Sequence, residues 1–253
     1  MDRAEFDQSL EKFKKLDSGR FPRVELHPVL DESEIDVTYN TIYLLHTGWA
    51  ARVLAQTLPE HHVDIGSCSY FVTLVSAFLN LTAYDLRPMK IPLPGFKTGI
   101  ADLTNIRFPD NSVKSLSCMH AMEHVGLGRY YDKIDPDGDL KAARELQRVL
   151  APGGDLLIVL PMGVPKLVFN AHRIYSYEQV LYMFSGLHLK EFSFVPSEQP
   201  QKFIQGADPR IAEDVDEGAG CFWFTKHARS DIRNPAAQQG QDLFGDPAFW
   251  IPA

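Results

Sequence analysis

The sequence predicts a doubly wound α/β fold with a mostly parallel, seven-stranded sheet and an N-terminal helical extension. Three observations predict it. Short apolar runs alternate with segments of helical spacing, residues 155–161 are apolar almost throughout, and two runs that a long polar loop joins, 189–196 and 220–226, close the series. A near-continuous apolar run is typical of a central parallel strand that is buried on both faces. Alternation of strands with helices indicates βαβ units and therefore a parallel sheet.

The seven strands are predicted from short apolar runs that are bounded by turn residues. Predicted helices follow the first, fourth and fifth of these strands, so we expect a mostly parallel sheet, and the last two strands are expected to form a closing pair. In chain order the runs are 61–66, 81–85, 99–102, 112–119, 155–161, 189–196 and 220–226.

The helices are predicted from apolar residues spaced three or four positions apart. Segments 2–16 and 40–58 have this spacing. In segment 69–79 we expect one apolar face to point to the core, formed by Tyr70, Leu74, Val75 and Phe78.

Two further helices are predicted from capping residues. Asp139 is expected to cap a helix that Pro152-Gly153-Gly154 ends, and Ser176 forms a capping box with Gln179.

Length and charge restrict the classes of function. The chain has 253 residues and a formal net charge of -8, which argues against a nucleic-acid surface.

We divide the chain into an N-terminal helix and arm (1–38), an α/β domain (39–226) and a C-terminal tail (227–253). No run of 18 apolar residues predicts a membrane span, and the polar N-terminus predicts a cytoplasmic location. The oligomeric state stays open, with a homodimer among the alternatives.

Polar residues at the ends of the first three strands predict a nucleoside site. Ligands of open α/β sheets bind beyond the carboxyl ends of the strands, near the first strand-to-helix turn, which here contains Asp64, Gly66 and Ser67. Asp85 ends the second strand, where a carboxylate can accept hydrogen bonds from two ribose hydroxyls. Asp102 ends the third strand and could accept one from an adenine amino group.

These residues, together with LQRVLAPGGDLLIVLP (146–161), resemble the class I S-adenosylmethionine-dependent methyltransferases. The resemblance implies the Rossmann-like methyltransferase fold for residues 39–226 and S-adenosylmethionine as the cofactor. It adds Leu86, Leu103 and Met119 to the expected cofactor contacts. The family pattern D/E-x-G-x-G-x-G at the first turn is kept here only as Asp64 and Gly66.

A narrower resemblance is to one bacterial branch of methyltransferase-like proteins, which is catalogued as a domain of unknown function and associated with surface-polysaccharide genes. It implies a small-molecule or glycan acceptor and methylation of a sugar hydroxyl. The segments that carry it are WAARVL (49–54), SLSCMHAMEHVGLGRYYD (115–132), DPDGDLKAARELQRVLAPGG (135–154), NAHRIYSYEQ (170–179) and GCFWF (220–224).

The candidate catalytic residues are His120, Glu123 and His124. They follow the fourth strand, which in the methyltransferases faces the methyl donor. A histidine at this place can take a hydroxyl proton near neutral pH, and we expect His120 to be the general base. Glu123 could orient an imidazole or accept the proton itself, while His124 could instead cap a turn.

Metal binding is not expected. The H-x-x-E-H pattern of residues 120–124 is similar to an inverted zinc-protease motif, but here it follows a sheet strand and precedes a turn. Asp135, Asp137 and Asp139 have the spacing of a calcium loop without its closing glutamate, so a tight turn is the preferred interpretation.

Residues in the loops after the fourth and fifth strands are candidates for binding the acceptor. Arg129, Tyr130, Asn170, His172 and Arg173 could bind sugar hydroxyls or an anionic group. Two alternatives to a methyltransferase stay open. One is a binding or scaffold protein of the same fold without turnover, and the other is a nicotinamide oxidoreductase, whose G-x-G-x-x-G pattern is absent after Gly66.

Overall fold

The structure is a computed structural model that describes residues 2–16, 26, 28, 40–130, 132–199 and 202–227. The predicted extended arm and C-terminal tail therefore lie outside the described residues, apart from residues 26, 28 and 227. The chain separates into two compact units, residues 1–40 and 41–253, and each is described by itself. None of the helices in these described ranges is long and apolar enough to span a membrane.

In its described residues the first unit contains one amphipathic helix, α1 (Arg3–Leu16), as its apolar spacing predicts. Its start is closed by reciprocal bonds, because Glu5 N donates to Asp2 Oδ1 at 2.9 Å and Asp2 N donates to Glu5 Oε2 at 2.8 Å. No residue of this helix is buried.

The second unit contains the seven-stranded sheet. Its strands are β1 (His62–Ile65), β2 (Leu81–Asp85), β3 (Lys97–Ile100), β4 (Val113–Met119), β5 (Leu150–Met162), β8 (His188–Pro196) and β9 (Gly218–Thr225). They stand in the order β3-β2-β1-β4-β5-β9-β8. The first five are parallel, and β9 is antiparallel to both of its neighbours. The prediction of a mostly parallel, seven-stranded sheet is confirmed.

Within the described part of the second unit, four helices cover the two faces of this sheet: α2 (Thr41–Thr57), α3 (Ser69–Val75), α4 (Gly138–Val149) and α5 (Tyr177–Met183). Apolar residues of α4 and α5 pack with Leu156 and Ile158 of β5 in one core. Those of α2 and α3 pack with Leu157 and Val159 in the other. Successive strand residues point to opposite faces, so β5 is buried on both sides as its apolar run predicts.

A small hairpin follows β5 and consists of β6 (Lys166–Val168) and β7 (His172–Ile174). It leads into α5, whose capping box is present as predicted. Ser176 Oγ accepts from Gln179 N at 3.2 Å, and Gln179 Oε1 accepts from Ser176 N at 3.0 Å.

Three local predictions are wrong. Helix α3 buries Phe71, Val72 and Val75, so Val75 alone of the predicted face is buried, and Leu74 is 69% exposed. The sequence SYFVTLV is apolar on nearly every side, so spacing alone does not decide which side faces the sheet.

Helix α4 begins one residue before Asp139, so the N-cap is Asp137 and not the predicted Asp139.

The segment Pro152-Gly153-Gly154 belongs to β5 and does not precede it. Pairing with β4 passes from Val113–Leu150 to Ser115–Asp155, so these residues form an irregularity within the strand. Gly153 has a φ of 76°, which a side chain would disfavour.

Candidate active site

A cavity of about 580 Å³ lies beyond the carboxyl ends of β1, β2, β3 and β4. Its volume is within the range of small-molecule sites, about 300–1,000 Å³. The strand order runs outward in both directions from β1, so the cavity occupies the place where ligands bind to open α/β sheets. The predicted site residues that line it are Gly66, Asp85, Leu86, Asp102, Leu103, His120, His124 and Tyr130.

The turn after β1 depends on Gly66. Its φ is 83°, and a Cβ atom at this position would lie only 2.7 Å from the Cβ atom of Ala121. Its N–H donates to the carbonyl oxygen of Tyr84 at 2.9 Å, which joins the turn to the end of β2. The turn and the segment after β4 can therefore approach each other only with glycine at position 66.

Asp64 and Ser67 lie behind this turn and do not line the cavity, contrary to the prediction that they contact the cofactor. The buried carboxylate of Asp64 accepts from Ser67 N at 3.1 Å, from Ser67 Oγ at 2.5 Å and from Ser117 Oγ. Burial raises the pKa of Asp64 to about 6, although the hydrogen bonds from Ser117 and Ser67 act in the opposite direction. The contacts assign both residues to the support of the turn.

Asp85 and Asp102 both line the cavity, and one oxygen of each carboxylate already accepts hydrogen bonds from the protein. Asp85 Oδ1 accepts from the backbone N of Arg87 at 2.7 Å. Asp102 Oδ1 accepts from the N and Oγ1 of Thr104 at 2.8 and 2.7 Å. The Oδ2 atom of each has no hydrogen bond within the described ranges, so each carboxylate can accept from the hydroxyl or amino group of a ligand.

Apolar walls complete this part of the cavity. Leu86 and Leu103 both line it, Leu86 exposed and Leu103 buried. Met119 does not line it, because its side chain is buried in the core against α2 and α3.

His120, Glu123 and His124 come together around one carboxylate oxygen. Glu123 Oε1 lies 3.1 Å from Nδ1 of His120 and 3.6 Å from Nε2 of His124. The glutamate side chain is only 1% exposed. The three residues lie on the segment after β4, which contains a single 3-10 turn over Met122–His124.

The hydrogen bonds determine which nitrogen of each imidazole carries a proton. A carboxylate only accepts, so Nδ1 of His120 is the donor toward Glu123. The Nε2 atom of neutral His120 then carries the lone pair, and it is buried without a hydrogen-bond partner in the described part of the chain. His124 Nδ1 donates to the carbonyl oxygen of Ala171 at 2.7 Å. Burial lowers the pKa of His124, with the charge of Glu123 opposing.

Two residues of α2 were missed by the sequence analysis. The ring of Tyr43 stacks on that of His120 with centroids 5.2 Å apart, and the ring of His46 lies 4.9 Å from both. The signal that could have found them is His46 itself, a polar residue within an apolar helix.

Tyr130 lies on the cavity wall among basic residues. The guanidinium carbon of Arg87 lies 4.4 Å from the centroid of its ring, and that of Arg129 lies 5.3 Å from it. Arg129 is exposed and donates to the carbonyl oxygen of Ala171 at 3.0 Å. It does not line the cavity.

The remaining predicted acceptor residues lie on the hairpin after β5, outside the cavity wall. The ring of His172 is 6.3 Å from that of His124, and its Nε2 is 3.4 Å from Glu217 Oε1. Asn170 is exposed near the tip of the hairpin.

Arg173 is committed to the backbone and to a carboxylate. It donates to the carbonyl oxygens of Val125 and Pro136 at 2.8 and 3.0 Å, and its Nε lies 3.6 Å from Asp139 Oδ2. These contacts disagree with the prediction that Arg173 binds the acceptor. Asp139 also accepts from the hydroxyl of Tyr175 at 2.9 Å, so it links α4 to the hairpin.

No metal site is present among the described residues, where no group of three or more His, Cys, Asp or Glu side chains could hold an ion. The zinc motif requires two histidines on one helical face, whereas His120 has a φ of 51° and lies before the 3-10 turn.

Comparison with solved structures identifies the fold. The YcgJ protein from Bacillus subtilis is 15% identical with a TM-score of 0.50, over 72% of this chain and 98% of that one. A protein assigned as a sarcosine dimethylglycine methyltransferase from Galdieria sulphuraria is 14% identical with a TM-score of 0.51, over 73% and 85%. The chain has the Rossmann-like methyltransferase fold. The [4+2]-cyclase SpnF is also similar, at 14% identity and a TM-score of 0.50 over 71% and 81%, so the fold alone does not determine the reaction.

A sequence-family model matches residues 104–207 and is described as "Caenorhabditis protein of unknown function, DUF268". This range contains His120, Glu123, His124 and the hairpin. No curated protein matches the chain by sequence.

Proposed function

We propose that the protein is an S-adenosylmethionine-dependent O-methyltransferase whose acceptor is a small molecule or a glycan. The hydroxyl that we propose it methylates is one of a sugar. The observation that carries the proposal is the imidazole of His120, which lines the cavity and whose buried Nε2 atom has no hydrogen-bond partner in the described part of the chain. The fold, with a sarcosine dimethylglycine methyltransferase among the similar structures, supports the reaction class. The resemblance to polysaccharide-associated proteins supports the sugar acceptor.

The residues of the cavity fit the cofactor. Asp85 and Asp102 each offer a carboxylate oxygen for ribose hydroxyls or an adenine amino group, and Leu86 and Leu103 offer apolar surface for a planar base. Gly66 lines the cavity, so the backbone of the first turn meets a ligand there without a side chain. When bound, S-adenosylmethionine supplies a methyl group on a positively charged sulfur that an oxygen nucleophile can take.

The chain then has to position the acceptor and remove one proton. The acceptor hydroxyl donates to Nε2 of His120, which accepts the proton as the oxygen is methylated. Glu123 fixes the tautomer through Nδ1 and stabilises the imidazolium that forms, because its buried carboxylate lies 3.1 Å away. His124 and Tyr130 form the neighbouring wall of the cavity, where the acceptor ring would lie.

The first test is binding. Calorimetric titration with S-adenosylmethionine and S-adenosylhomocysteine should give a dissociation constant in the micromolar range, whereas no binding at millimolar ligand would favour the scaffold alternative. The second test is turnover, measured as release of S-adenosylhomocysteine with a panel of free and nucleotide-linked sugars.

His120→Ala should lower turnover by about 10²- to 10⁴-fold, while cofactor affinity changes little. His172→Ala is the matched control, because it removes an imidazole that does not line the cavity. A His120→Ala enzyme with parental turnover, or a larger defect in His172→Ala, would remove His120 from the mechanism.

A further inference from the structure

The rings of Tyr43 and His46 form a cluster with His120 and take no direct part in the proposed proton transfer. Both residues come from α2, more than 70 positions before His120 in the sequence. The planes of Tyr43 and His120 are inclined by 24°, which is a stacked arrangement, and His46 is tilted by 58° against both rings. His46 is 1% exposed, so the cluster is anchored in the core.

His120 needs such support because its backbone is in an uncommon conformation. Its φ of 51° lies in the left-handed region, which a residue with a side chain rarely adopts. Its N–H donates to the carbonyl oxygen of Val159 at 2.9 Å, which fixes the backbone. The side chain is fixed on one edge by Glu123 and on one face by Tyr43. Conformations of this kind persist only where the surroundings hold them.

The two supporting rings stay uncharged near neutral pH. Burial lowers the pKa of His46 well below its ordinary value, and the charge of His120 lowers it further. Burial raises the pKa of Tyr43, and the nearby charge of Glu123 raises it too. Among the described residues, the titratable groups against the His120 ring are the imidazole of His46, the phenol of Tyr43 and the carboxylate of Glu123, to which His124 is also close.

We propose that Tyr43 and His46 are positioning residues that hold the His120 imidazole in one orientation, with Nδ1 toward Glu123 and Nε2 toward the acceptor. The face of the tyrosine ring also stabilises the imidazolium, since an aromatic face attracts a cation. Both supporting rings act on the His120 imidazole as uncharged groups. The inference rests on the proposed role of His120 as the general base.

The test reads the imidazole directly and needs neither cofactor nor turnover. Nitrogen-15 NMR of the histidine side chains reports the tautomer and the pH midpoint of each ring, and His120→Gln assigns the signal. Tyr43→Leu and His46→Ala remove a ring, whereas Tyr43→Phe and His46→Phe retain one. Leu44→Ala, at a position on the same helix that is 49% exposed, controls for changes in α2.

We expect the ring-removing variants to mix the two tautomers of His120, and Tyr43→Leu to lower its titration midpoint by about half a pH unit. The ring-retaining variants and Leu44→Ala should match the parent. Folded ring-removing variants with parental nitrogen shifts and midpoint would overturn the proposal, and if one of them fails to fold, the other decides.

The turnover assay separates this inference from the proposed function. If the protein is a methyltransferase, Tyr43→Leu should lower kcat about tenfold and shift the acidic limb of the profile of kcat against pH. Cofactor affinity should stay within twofold of the parent. If no sugar is methylated, the proposed function fails, and the NMR result still decides whether the cluster positions His120.

Discussion

Gly66 and Ala121 approach each other so closely that a Cβ atom on Gly66 would lie 2.7 Å from that of Ala121. One residue belongs to the turn after β1 and the other to the segment after β4. This contact brings the predicted nucleoside site and the predicted base together in the lining of one cavity.

Gly66→Ala should therefore weaken cofactor binding. The substitution adds a steric conflict to a left-handed backbone, which costs about 1–2 kcal/mol for a residue with a side chain. We expect a loss of cofactor affinity of at least about tenfold by calorimetry. Gly153→Ala is the matched control, because Gly153 has a φ of 76° and no atom within 4 Å of its added Cβ. Equal effects of the two variants on cofactor affinity would contradict this role of Gly66.

Asp85→Ala should reduce cofactor affinity without a general loss of stability. Its free Oδ2 is the proposed acceptor for ribose hydroxyls, and leaving such groups unpaired costs about 1–3 kcal/mol, or roughly 5- to 150-fold in affinity. Asp214→Ala removes the same charge from an exposed position away from the cavity. If Asp85→Ala binds S-adenosylhomocysteine within twofold of the parent, the ribose assignment is wrong.

Glu123→Gln tests the charge beside His120. The amide keeps the shape and can still accept from Nδ1, but it no longer stabilises an imidazolium. We expect turnover to fall roughly 10- to 100-fold, which is part of the effect of a positioned base. The melting temperature should stay the same or rise, because a buried charge is removed. Glu213→Gln, at an exposed position, should leave turnover unchanged.

Asp64 gives a prediction for stability against pH. Its pKa is raised from an ordinary value near 3.8 to about 6 by burial, so the folded state binds the proton more tightly than the unfolded chain. Its contribution to stability is therefore fully present below about pH 4 and is lost as the pH rises through 6. The loss amounts to about 3 kcal/mol at 1.36 kcal/mol per pH unit.

Asp64→Asn removes this titration. The free energy of unfolding of the parent minus that of the variant, from urea titrations between pH 4 and pH 7, should decrease as the pH rises. Contributions of other titrating groups cancel in this difference. A difference that is constant over the range would show that Asp64 ionises in the folded protein as it does in the unfolded chain.

Several features of the fold and of the cavity could be predicted from the sequence because they depend on local patterns. The buried run that became β5 and the capping box at Ser176 are examples. The order of strands and helices places the carboxyl ends of parallel strands at one edge. For this reason the sequence predicts that Asp85, Asp102 and His120, which are far apart in the chain, lie at one site.

Other features required the tertiary structure, because they depend on which surfaces meet. Helical spacing shows that α2 has a buried face, but only packing brings Tyr43 and His46 against His120. An arginine next to a histidine could be expected to bind a ligand, yet the guanidinium of Arg173 donates its hydrogen bonds to the backbone carbonyl oxygens that surround it.

Asp64 shows the division most clearly. Its place in the turn follows from the sequence. The strands that pack around it decide its burial, its hydrogen bonds to Ser67 and Ser117 and its raised pKa. A sequence pattern specifies which residues stand at the end of a strand. Only long-range packing determines which of their polar atoms remain free for a ligand.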